Sequence, residues 1–142
     1  MSDEAISVPQ SLYRGNLKDN EDQYLDSARW LLAWLARILG KDDLAETRVL
    51  DVGCGTKFTQ ALLNDTIPIA RYAGVDVYRD LIDYLAANVR DERFSYHHMN
   101  SHNRMYNPDG DRLNENSRLP LGEEQFDLIC LFSVFTHLEP HD

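Results

Sequence analysis

The chain has 142 residues, 43% hydrophobic and 27% charged, which bounds it to one globular domain with a modest core. Its 14 Lys+Arg against 24 Asp+Glu leave a net charge of −10, a surface that repels phosphate backbones and anionic lipid. Neither a nucleic-acid nor a membrane partner is therefore expected. The opening MSDEAISVPQ lacks the apolar stretch of a secretion signal, and no apolar run reaches membrane-spanning length. Cys54 and Cys130 stand in apolar segments without C-x-x-C spacing. They read as reduced core thiols of a cytoplasmic protein, with no metal expected.

Residues 1–20 are polar, are punctuated by Pro9, Gly15 and Asn20, and read as a loose arm; the domain proper is expected over 21–142. From Glu21, Leu25, Ala28, Leu31, Leu32, Leu35, Ile38 and Leu39 recur at helical spacing, and Gly40 supplies a stop. Trp30 and Trp34, one turn apart on that helix, are expected to pack against the body of the domain rather than to stack on a ligand. A strand Val49–Val52 then runs through a glycine turn into a helix begun near Thr56. YAGVDV, 72–77, is a second strand, and Leu81, Ile82, Leu85, Ala86 and Val89 mark a further amphipathic helix. RFSYHH, 93–98, is a third strand, and QFDLICLFSVF, 125–135, is a fourth, nearly continuous in apolar residues as doubly buried strands are. Strands alternating with helices predict an α/β fold with a parallel sheet. Between the last two strands, 99–124 is crowded with Asn, Asp, Pro and Gly. It is either a loop closing over a site at the carboxyl end of the sheet or a surface excursion.

The glycine turn defines the ligand by exclusion. A dinucleotide fingerprint needs a third glycine where Phe58 stands, and no phosphate-binding G-x-x-x-x-G-K-[ST] is present. What remains is Asp51 on the strand, Gly53 and Gly55 at the turn, and Asp76 at the end of the next strand, 23 residues after Gly53. That is close to the spacing at which an acid accepts both hydroxyls of a ribose. Asp51 adds a negative charge suited to a cationic group, and the backbone N–H groups at the helix start suit a carboxylate. S-adenosylmethionine carries all three features.

Residues 48–138 resemble the first half of a class I, Rossmann-like SAM-dependent methyltransferase. VLDVGCGT is similar to the family's first motif, YAGVDV to its ribose-binding strand, FSYHHMN to its third strand, and FDLICLFSVFTHL to its fourth. The resemblance implies a Rossmann-like parallel sheet with flanking helices, truncated after the fourth strand. It implies that Asp51, Gly53, Cys54 and Gly55 contact the methionine end and that Asp76 clamps the ribose. Val77 would pack on the adenine, Asn100 would bond its edge, and Leu131, Phe132 and Ser133 would line the wall near the methyl group. The implied activity is methyl transfer from SAM to a small-molecule acceptor. The other reading is a SAM-binding or regulatory module that lacks the acceptor half.

This chain departs from the family pattern at Lys57, which replaces a third glycine. Its side chain either points to solvent, the reading favoured here, or reaches the ligand carboxylate. His137, beyond the fourth strand, is the best-placed general base, although a packing role competes. His97, His98 and His102 make a weak metal motif, because neighbouring strand residues point to opposite faces. Finally, the fourth strand would present a long apolar edge, so the chain is expected either to self-associate there or to be a fragment of a longer one.

Overall fold

The computed structural model describes residues 5–13, 21–132, 134 and 138. Helix α1 spans Glu21–Ile38, strand β1 Leu44–Val52, helix α2 Lys57–Asn64 and strand β2 Ile69–Asp76. Helix α3 follows at Arg79–Asn88, then strand β3 at Phe94–His98 and strand β4 at Leu128–Cys130. All four strands are parallel, in the order β3-β2-β1-β4, so the Rossmann-like arrangement holds. No helix among the described residues is long and apolar enough to cross a membrane.

Strand alternation sorts the core into two layers. Val49 of β1 and Tyr72 of β2 face the helices, where they meet Ala28, Leu32 and Leu35 of α1, Phe58 and Leu62 of α2, and Ile82 of α3. Their neighbours Leu50, Ala73 and Val75 face the other way, against Met99, Leu121 and Phe126. The segment between β3 and β4 thus covers a face that helices cover in doubly wound folds. The stretch 99–124 is therefore no mere surface excursion. Arg71 of β2 clips its end to the sheet through Glu124 (2.6 Å) and also donates to Ser95 of β3 (3.1 Å).

Four sequence expectations change. Strand β1 begins at Leu44 rather than Val49, with an irregularity before Arg48; its first half buries only Leu44 and Thr47 and so shows no apolar run. Trp30 and Trp34 do not pack on the domain: they are 64% and 40% exposed and stack on each other at 6.0 Å. The buried stripe of α1 is Ala28, Leu32, Leu35 and Ala36, about a quarter turn or more away around the helix. Strand β4 is three residues long, so the expected apolar edge is short where described, with Ile129 56% exposed. Last, residues 5–13 are no loose arm. Ile6 and Val8 are buried, and the Asn64 side chain both accepts from the Ile6 N–H (2.8 Å) and donates to its carbonyl (3.3 Å). The Tyr84 hydroxyl donates to the Ser7 carbonyl, fixing the strap to α3 as well as α2.

Candidate functional site

The β1–α2 turn is held by β2. The Gly53 and Cys54 N–H groups both donate to the Val75 carbonyl, at 2.7 and 3.1 Å. Gly53 sits at φ +74°, and a Cβ there would lie 2.6 Å from Val134 Cγ2, so glycine is required on two counts. Asp76 locks the next step: one carboxylate oxygen accepts the Gly55 N–H (2.9 Å) and the other the Tyr78 N–H (3.0 Å). This buried carboxylate therefore ties the first turn to the second.

Two cavities open at the carboxyl ends of the strands and share Gly53 and Phe132. The first, about 240 Å³, is walled by Asp51, Cys54, Gly55 and Lys57 on the turn side and by Tyr13 and Tyr24 opposite. The second, about 330 Å³, is mostly apolar: Val75, Val77, Met99, Leu119 and Leu131 surround Asp76. Tyr106, on the long loop, also lines it, with its ring 5.8 Å from that of Tyr78.

Asp51 lies at the floor of the first cavity. Its carboxylate accepts from the Tyr72 hydroxyl (2.7 Å) and faces the Cys130 thiol (3.7 Å). Burial pushes its pKa from an ordinary 3.8 to about 7; the Tyr72 and Cys130 bonds oppose that, the Asp76 charge adds to it, and Lys57 opposes it. Burial also pushes the Cys130 thiol up, with the Asp51 charge behind it, which makes Cys130 an unreactive donor. Both cysteines are buried and neither forms a disulfide.

Of the residues expected at the site, Asp51, Gly53, Cys54 and Gly55 meet in the first cavity, and Gly53, Asp76, Val77, Leu131 and Phe132 in the second. Asn100 is not in either wall. It donates to Asp111 (3.3 Å) and accepts from Asn107 (3.1 Å), so its amide is spent on ordering the loop, and Ser101 takes its place beside the cavity. Lys57 does not reach into solvent; it is half-buried in the first cavity. The three imidazoles do not converge: His97 bonds Ser95, His98 the Val77 carbonyl and His102 the Pro108 carbonyl. Ser133 and His137 lie outside the described residues.

Sequence reasoning missed Tyr13, Tyr24 and Tyr72. Tyr13 and Tyr24 come from the strap and α1 and meet edge-on at 6.4 Å. Nothing in their local sequence marks them, since their role arises only when those segments pack over the turn. Tyr72 did carry a signal, a phenol on a strand whose other uncharged residues are small or β-branched.

A family model described as a methyltransferase domain matches residues 50–142. No solved structure matches the chain.

Proposed function

The chain belongs to the methyltransferase domain family, and on that premise we propose that it binds S-adenosylmethionine across the two joined cavities and methylates a small-molecule acceptor. The observation that carries this reading is the placement of Asp76. It stands at the carboxyl end of β2 in the wall of the second cavity, its oxygens oriented by the Gly55 and Tyr78 N–H groups, where a strand-end carboxylate suits the hydroxyls of a ribose. The apolar walls from Val77, Met99 and Leu131 suit a flat purine. The methionine end then falls to the first cavity, beside Asp51 and the glycine turn.

The bound cofactor supplies a methyl group on a sulfonium, already activated toward displacement. What the chain contributes is alignment and exclusion of water. The Gly53 turn lets the backbone approach at the junction of the cavities, Phe132 closes it from the β4 side, and Phe58 supports Phe132 edge-on at 5.5 Å. Titration calorimetry with SAM, S-adenosylhomocysteine and NAD tests the reading. Binding of the first two and not the third is expected; preference for NAD would overturn it.

The buried acid gives a pH signature. Asp51 has its pKa raised in the fold, so its contribution to stability is fully present below 3.8 and is lost as pH rises through about 7. A cationic ligand favours the ionised form, so affinity should rise toward pH 7 and flatten above it. Below pH 7, binding should release protons, seen as a buffer-dependent heat, and Asp51→Asn should remove both effects. A pH-independent affinity in the unmodified protein would contradict the assigned role of Asp51.

A further inference from the structure

Lys57 opens α2 and lines the first cavity, with Gly55 and Thr56 beside it and Tyr24 across from it. Its Nζ lies 5.5 Å from the centroid of the Tyr24 ring, and the Tyr24 hydroxyl is 3.3 Å from Thr56 Oγ1. The cation is thus held over an aromatic face that is itself fixed to the start of the same helix. Among the described residues Lys57 forms no ion pair.

Three features of this placement favour an anion beside Lys57. The positive end of a helix dipole repels a cation, and α2 has no acidic residue in its first turn to compensate. Thr56 makes no side-chain capping bond, so the first-turn N–H groups gain no acceptor from it. Burial lowers the lysine pKa, and only the Asp51 charge opposes that. Asp51 acts on it only through its charge, since the two form no ion pair among the described residues. An ammonium, first-turn N–H groups without a side-chain cap and the Thr56 hydroxyl therefore border one cavity, with Asp51 at its floor but no carboxylate paired with Lys57 among the described residues.

We propose that Lys57 binds the carboxylate of the cofactor's amino-acid end, taking over with its side chain a contact that a bare glycine backbone would otherwise make alone. This rests on the SAM reading above. With the adenosyl group on Asp76, the amino-acid end extends past Gly53 into the cavity where Lys57 stands. The amino group is then left to Asp51, and the two charged residues sort the two ends of the amino acid. Lys57 is accordingly a residue that discriminates between adenosyl compounds with and without an amino-acid tail.

The test compares two ligands. S-Adenosylhomocysteine carries the carboxylate, and 5′-methylthioadenosine shares the adenosyl thioether but lacks the amino acid. Lys57→Met should weaken S-adenosylhomocysteine about tenfold or more, the loss typical of a charge-assisted contact, and leave 5′-methylthioadenosine unchanged. Lys57→Arg should retain most of the affinity. An equal loss for both ligands would show that the side chain only packs, and no loss for either would show that it is idle; both overturn the proposal. Failure of the unmodified protein to bind either ligand would overturn the SAM reading itself, and this inference with it.

Discussion

Asp76→Ala should cost the fold about 2–5 kcal/mol and abolish measurable cofactor binding in the same step. The stability loss comes from the two backbone donors that this carboxylate accepts, Gly55 N–H and Tyr78 N–H, at 2.9 and 3.0 Å. Alanine leaves both without that acceptor in a partly buried place, toward the lower part of the range of about 1–3 kcal/mol each. Asp76→Asn has one acceptor oxygen instead of two, so it should satisfy one donor and fall between. Urea denaturation gives the first quantity and titration with S-adenosylhomocysteine the second. A variant as stable as the parent that loses only ligand affinity would show that the glycine turn does not depend on Asp76.

Gly74→Val should be the most damaging substitution in the sheet, by about 3 kcal/mol or more. Gly74 lies mid-strand in β2, with no positive φ, so the reason is space. A Cβ there would stand 2.8 Å from Cys54 Sγ and 3.1 Å from both Cys54 Cβ and Tyr96 Cδ1. Overpacking a filled core costs typically about 1–3 kcal/mol, and the branched side chain adds to it. The clash also pushes on the turn, because Cys54 is the residue between the two glycines of the site. Ligand affinity should therefore fall even under conditions where the variant is folded. Cys54→Ala should recover part of the stability lost in Gly74→Ala, since it removes the nearest atom; strict additivity of the two changes would contradict this contact.

The elements and their order were legible because each carries its own period. The leucines of α1, the β-branched runs of β1 and β2, and the apolar face of α3 are local patterns, and the parallel sheet follows from their alternation. Asp51, Gly53, Gly55 and Asp76 were legible for a different reason, since strand-end acids and turn glycines stand at readable spacings. What stayed hidden depends on contacts between distant residues. Gly74 is indispensable because Cys54, from 20 residues away, and Tyr96 both lean on it. Lys57 reads as a solvated side chain until Tyr24, from a helix earlier in the chain, is set across the cavity. Asn100 looks like a ligand contact until Asp111 and Asn107 occupy its amide. Residues 5–13 look like tail because Ile6 and Val8 are too few to show a period, although Asn64 and Tyr84 hold them in place.

That strap has a thermodynamic consequence. Its far end supplies Leu12 and Tyr13 to the wall of the first cavity, with Tyr13 accepting from Gln60 at 2.8 Å, while its near end is anchored on α2 and α3. Occupancy of the cavity and docking of the strap are therefore one coupled equilibrium. A ligand that touches Tyr13 adds its binding free energy to the docked form alone, and a docked strap returns the same factor to the ligand. The exchange of the Ile6 amide, bonded to Asn64 at the opposite end of α2 from the cavity, would then be a readout of how full the cavity is. Residues 5–13 would thus work as a reporter and a governor of the proposed cofactor site, through their anchors on α2 and α3 and a shared wall.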